Sequence, residues 1–139
     1  MSSTVQISVD AGDPAALAGF WALALGYVEQ PPPQGFDTWS AWAEAEGVPE
    51  ERMSAYAALV DPEGKGPRLL FQRVPESKTA KNRFHLDVGV GGPDHSWDTV
   101  QQHVARLVEA GASLVEERSE LGERWVVLTD PEGNEFCVQ

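Results

Sequence analysis

Residues 4–10, TVQISVD, alternate in character: Val5, Ile7 and Val9 fall on one side and Gln6 and Ser8 on the other, the period of a half-buried strand. Asp13 followed by Pro14 then reads as a helix start, with Leu17, Phe20, Trp21 and Ala24 recurring at helical spacing and Gly26 as the stop. YVEQ returns to an extended pattern and is broken by Pro31, Pro32 and Pro33. MSAYAALVD and RLLFQRV read as two more strands, joined by the turn Asp61-Pro62-Glu63-Gly64.

The same order returns further along. NRFHLDVGV, at 82–90, repeats the opening strand. SWDTVQQHVARLVEAG repeats the helix, with Ser96 as its cap, Trp97, Val100, Val104 and Leu107 as its apolar stripe, and Gly111 as its stop. His103, next to Val104, reads as an ordinary boundary residue and His95 as a loop residue. ASLVEER, ERWVVLTD and NEFCVQ then read as three strands, and the turn between the last two is again Asp130-Pro131-Glu132-Gly133. One βαβββ unit is used twice. The fold class is α+β, with module 1 at 1–75, a polar and basic linker at 75–83 and module 2 at 84–139. Module 1 carries an insertion at 31–55 with Trp39 and Trp42 ahead of an acidic, helix-compatible stretch, read either as a lid or as a satellite helix over one sheet face.

The length of 139 residues suits a single domain with a real core, and 42% hydrophobic with 23% charged residues is ordinary for a globular chain. A formal net charge of −12 repels phosphate backbones and anionic lipid heads, so neither nucleic acid nor a membrane is an expected partner. The lone Cys137 has no internal disulfide partner and the first residues lack a signal-peptide pattern, which makes the cytoplasm the expected location. No apolar run reaches the length of a bilayer span.

With DPEGKGPRLLFQ and DPEGNEFCVQ closing the two halves, and with FWALALGY and FHLDV in the corresponding helix and strand, the chain resembles the vicinal oxygen chelate superfamily. The likeness is to its glyoxalase-like and bleomycin-resistance-like branch, and it covers essentially the whole sequence as one domain, 1–139. The resemblance implies paired βαβββ modules that each curl into a half-barrel, concave faces that enclose a ligand cavity, and assembly as a homodimer.

It also implies where a metal is held in members that use one: on the first and last strands of each module. His85 matches the first-strand ligand of module 2, and Gln6 the corresponding place in module 1. The family's carboxylate lies seven residues after the turn aspartate, but that count from Asp130 reaches Cys137, and Glu135 is two residues short. Glu135 and Cys137 share a strand face, so a shifted register would let Glu135 stand in. In module 1 the matching place falls near Leu70 or Gln72. The metal set is therefore Gln6, His85 and Glu135 at most, which is thin for catalytic zinc and thinner for a hard cation. No cofactor is expected, with a divalent ion as the alternative.

Read without the family, His85 is a strand histidine bonded to Asp87 on its own face, and Cys137 a small apolar filler rather than a nucleophile. Tyr56 and Trp125 each precede their turn aspartate by five residues and so occupy matching places, either in the core or lining a ligand cavity. The expected function is binding of a small organic molecule by Gln6, Ser8, Trp39, Trp42, Tyr56, His85, Asp87, Trp125, Glu135 and Cys137. The alternative is a metal-dependent lyase or isomerase of the glyoxalase type, with His85 as its catalytic residue if it has one. The acidic surface favours a cationic ligand at long range.

Overall fold

A computed structural model describes residues 1–90, 92–94 and 96–139. Gly91, in the VGVGGP stretch, and His95, read above as a loop residue, lie outside the described residues. The chain divides into two compact units, residues 1–22 with 26–77, and residues 23–25 with 78–139.

The first unit contains β1 (Ile7–Ala11), most of α1 (Pro14–Leu25), β2 (Val28–Glu29), α2 (Trp39–Glu46), α3 (Glu50–Met53), β3 (Tyr56–Val60) and β4 (Leu69–Arg73). Its sheet is four-stranded in the order β1-β4-β3-β2, with β1 parallel to β4 and the other pairs antiparallel. Asp13 caps α1 by accepting from the Ala16 N–H at 3.2 Å, and Gly26, at φ 70°, closes it in the left-handed conformation that costs glycine nothing. Leu17, Phe20 and Trp21 are buried, as are Leu59, Leu69 and Phe71 of the sheet, and these form the core of the unit. The insertion holds two helices. Thr38 caps the first by accepting from the Ala41 N–H at 3.0 Å.

The second unit contains β5 (Asp87–Val88), α4 (Trp97–Glu109), β6 (Ser113–Glu120), β7 (Glu123–Thr129) and β8 (Glu135–Val138), again as a four-stranded sheet, β5-β8-β7-β6. The repeated βαβββ order is as the sequence pattern indicates, and neither sheet closes on itself. The two DPEG turns are built alike. Gly64 and Gly133 donate to the carbonyls of Asp61 and Asp130, both at 2.9 Å, while each aspartate side chain gathers backbone N–H groups. Asp61 accepts from Glu63, Lys65 and Gly66, and Asp130 from Glu132 and Asn134. These bonds to the charged form, led by those from Glu63 and Gly66, lower the pKa of Asp61.

Several boundaries differ from the sequence reading. The opening strand starts at Ile7 rather than residue 4, and Val5 is exposed, because the partner strand itself begins only at Leu69. The strand expected over 82–90 reduces to Asp87–Val88, since β8 is short and residues 78–82 are drawn to Glu135 instead. The β6–β7 pair is longer than expected and turns through Leu121 (φ 53°) and Gly122 (φ 79°), two positive-φ residues that suit the twist of a tight hairpin. His103 is not a boundary residue. It is 6% exposed; its Nε2 lies 2.9 Å from the carbonyl of Ala24, in the last turn of α1, and Arg106 donates to its Nδ1 at 3.1 Å. Carbonyls in a final helical turn lack an intrahelical donor, and a histidine with its proton on Nε2 supplies one here.

Candidate functional site

Along β4 of the first sheet and along β7 and β8 of the second, buried and more open positions alternate, and the strand registers fix which side chains stand on the open face. In the first unit Leu69 and Phe71 point into the core, so Leu70 and Gln72 point the other way, with Ser8 and Asp10 beside them in register and Tyr56 across from Gln72. Continuing the register puts Gln6 next to Arg68 and Gln30 next to Ala58, on the same open face. Gln30 donates its N–H to the Ala58 carbonyl at 2.9 Å, as that register requires.

These polar groups are wired together. Arg68 donates from Nη1 to Gln6 Oε1 at 2.8 Å and from Nε to Gln30 Oε1 at 2.8 Å. Gln6 donates onward to Ser8 Oγ at 3.3 Å, and the Trp39 indole N–H donates to the Gln30 carbonyl at 2.8 Å. Trp39 also meets Trp42 edge-on, with ring centroids 5.5 Å apart. Further along the face, Gln72 donates to Asp10 Oδ1 at 2.9 Å. Tyr56 is half exposed rather than packed in the core.

In the second unit Phe136 and Val138 are buried, so Glu135 and Cys137 stand on the open face, with Trp125, Val127 and Thr129 of β7. Asp87 pairs with Cys137 across β5 and β8. His85 Nδ1 lies 3.2 Å from Asp87 Oδ1, and one ligand-competent atom from each of His85, Asp87 and Cys137 falls within 4.8 Å of the others. Burial, then the neighbouring Asp87 carboxylate, which accepts a hydrogen bond from the thiol, push the Cys137 pKa up. Cys137 is thus neither a simple apolar filler nor an activated thiolate.

Glu135 is engaged elsewhere. It accepts from the Asn82 backbone N–H at 3.0 Å and from Lys78 Nζ at 3.0 Å, and Lys78 also reaches the Ala80 carbonyl at 2.6 Å. The Asn82 bond foremost, and then Lys78, hold its pKa down at about 2. The segment read as a linker therefore supplies the partners of a candidate site residue.

Counting back from Gln72 of β4 and from Gln139, which follows β8, aligns Arg68-Leu69-Leu70-Phe71-Gln72 with Glu135-Phe136-Cys137-Val138-Gln139. Gln6 then matches His85, Ser8 matches Asp87, Tyr56 matches Trp125, and an arginine stands in one unit where a glutamate stands in the other. Arg68, Asp10, Gln30, Lys78 and Asn82 escaped the sequence reading. Arg68 lies seven positions after Asp61, so the family's count reaches it directly, whereas the place read for module 1 near Leu70 or Gln72 passes it by; equal counts do not reach matching residues in the two units, because Leu69 lies eight positions after Asp61 and Phe136 only six after Asp130.

The donor chemistry decides what ion the residues suit. The amide oxygen of Gln6 already accepts from a guanidinium, and both carboxylate oxygens of Glu135 have donors, so a cation at either would stand beside a positive side chain and compete with bonds already made. His85, Asp87 and Cys137 offer nitrogen, oxygen and sulfur, a set that suits a zinc-like ion rather than a hard, oxygen-seeking one. Such an ion requires the thiolate, and burial beside Asp87 favours the thiol.

The repeated unit, the open sheet faces and the ligand-type side chains on them define a class of protein. The glyoxalase-like domain family matches the chain over residues 6–139, and the chain belongs to that family. Among solved structures it is similar to a glyoxalase/bleomycin resistance protein/dioxygenase family enzyme from Burkholderia phytofirmans, 18% identical, with a TM-score of 0.66 over 96% of this chain and 94% of that one. It is also similar to a mutant of the fosfomycin resistance protein FosX from Listeria monocytogenes, complexed with Mn(II) and a dihydroxypropylphosphonic acid, at 12% identity and a TM-score of 0.68 over 100% and 90% of the two chains. A third is TioX from Micromonospora sp., at 16% and 0.55 over 99% and 97%. At these identities the likeness establishes the fold alone. No curated protein matches the sequence significantly. No helix among the described residues is long and apolar enough to cross a membrane.

Proposed function

We propose that the protein binds a small organic molecule against its open sheet faces, and that binding needs no metal ion. The observation that carries this reading is the prior commitment of Gln6 to Arg68 and of Glu135 to Asn82 and Lys78. The resemblance implies a metal ligand at Gln6 and allows Glu135 as a stand-in at the place that Cys137 occupies, and here both already accept hydrogen bonds from protein donors. What the faces offer instead is aromatic surface with fixed polar groups, the usual make-up of a small-molecule site. Tyr56 and Trp125 supply the first; Ser8, His85 and Asp87 supply the second.

The test is a ligand screen on chelator-treated protein whose metal content has been measured by elemental analysis. Tryptophan emission and the thermal midpoint should respond to at least one compound in a panel of aromatic acids, amines and neutral analogues. Silence of both signals across the panel would sink the proposal.

A second reading is favoured by the approach of His85, Asp87 and Cys137. In it these three hold a divalent ion that supplies Lewis acidity toward an oxyanion, as a glyoxalase-type lyase or isomerase requires. Added Co(II) would then give a sulfur-to-metal absorption band that Cys137→Ser abolishes. Without such a band the metal reading fails.

A further inference from the structure

We propose that Arg68 is the anchor for an anionic group, so that the ligand of the first unit's open face is a small organic molecule bearing a carboxylate or a phosphonate. The inference deepens the small-molecule reading above and rests on it.

A guanidinium has five N–H donors in a rigid fork, and two of them are used, one on Gln6 Oε1 and one on Gln30 Oε1, both at 2.8 Å. Both acceptors are neutral amides. They fix the direction of the fork and leave its charge uncompensated. The side chain is part-buried, and among the described residues no carboxylate comes within ion-pair distance of it, in a chain with twenty-two acidic residues. A partly desolvated cation without a counter-charge is costly, whereas one that meets an oxyanion through its spare N–H groups forms the strong, two-point kind of contact.

The holding frame has its own support. Gln30 is fixed through its backbone by the Trp39 indole and the Ala58 carbonyl, and Gln6 is tethered to Ser8. Trp39 and Trp42 lie at the Gln30 end of this chain of bonds, so the frame that holds the charge includes aromatic surface. The contrast with the other unit sharpens the point. Glu135, at the position matching Arg68, has its charge answered by Lys78, while among the described residues Arg68 has no ion-pair partner. The long-range field of an acidic surface favours cations, but a guanidinium at contact distance outweighs it locally, because distant exposed charges are screened and a contact pair is not.

The experiment titrates the chelator-treated full chain with four probes of one shape: phenylphosphonate, benzoate, neutral benzamide and cationic benzylamine. Isothermal calorimetry gives the affinities, and the 15N–1H signal of Arg68 Nε, assigned by its loss in R68Q, reports the site. Both anions should bind at least ten-fold more tightly than benzamide, with benzylamine weakest, and both should shift the Arg68 signal. R68Q should bring the anions down to the benzamide level. R68K, which keeps the charge and loses the fork, should weaken them several-fold, and it serves alone if circular dichroism finds R68Q unfolded. If all four probes bind without regard to charge, or R68Q or R68K keeps the full anion preference, the anchor is refuted while the small-molecule reading stands. If none of them binds, both fall.

Discussion

Replacing Glu135 with alanine removes the acceptor of two charge-assisted hydrogen bonds that tie residues 78–82 to β8. The Lys78–Glu135 pair spans 3.0 Å with side chains only 19% and 22% exposed, so it is sheltered compared with the surface pairs that contribute ~0–1 kcal/mol. Hydrogen bonds to charged groups contribute ~1.5–3 kcal/mol each, but the two are not additive here because Lys78 can turn to water, which gives a loss of ~2–3 kcal/mol. For a chain of this length that lowers the thermal midpoint by about 6–12 °C. Glu135→Gln, which keeps one acceptor oxygen and loses the charge, should fall between.

The pH dependence gives an independent signature. The folded-state pKa of Glu135, about 2, lies below its ordinary value of 4.5, so its contribution is complete above about pH 4.5 and is lost as the pH falls toward 2. In that window the unfolded chain binds the extra proton, and stability rises with pH. Thermal unfolding of wild type and Glu135→Ala between pH 2 and 7 should therefore give two curves that are far apart at neutrality and converge in acid. Equal midpoints at pH 7, or a gap that stays constant down to pH 2, would refute the assigned contacts.

Asp130→Ala should cost ~2–4 kcal/mol, since the carboxylate is buried and its removal takes the acceptor from the Glu132 and Asn134 N–H groups; Asp61→Ala, at the more exposed copy of the turn, should lower the midpoint less, as differential scanning calorimetry would record. Cys137 should react with iodoacetamide at pH 8 more slowly than free cysteine, and Asp87→Asn should speed the reaction by removing a neighbour that raises the thiol pKa; faster alkylation in the wild type would contradict that environment. His103→Leu should destabilise by ~1–3 kcal/mol, because the Ala24 carbonyl loses its donor; urea unfolding measures this, and an unchanged midpoint would mean that water replaces the imidazole.

The doubled architecture was legible in the sequence because period and punctuation agreed. Ile7 and Val9 alternate with Ser8 and Asp10, Asp13-Pro14 starts a helix that Gly26 ends, and the DPEG turn recurs at the same joint. The shared face of Glu135 and Cys137, and the nearness of His85 to Asp87, also followed from strand parity. What stayed hidden depended on partners distant in sequence. Arg68 finds Gln6 across 62 residues and Gln30 across 38, and Glu135 finds Lys78 across 57, none of which leaves a local periodic trace. His103 reads as polar and so as peripheral, yet one helix-end carbonyl is enough to hold it inside. The early strand start and the long β5 failed for a related reason: alternation marks residues able to extend, while the partner strand decides how many do.

Binding without a metal is the claim on which the functional account turns. Its most direct measurement is calorimetric titration of phenylphosphonate into chelator-treated protein, set beside the same protein resupplied with Zn(II) or Mn(II). The account predicts one affinity, indifferent to the ion. Binding that appears only after an ion is restored would contradict it.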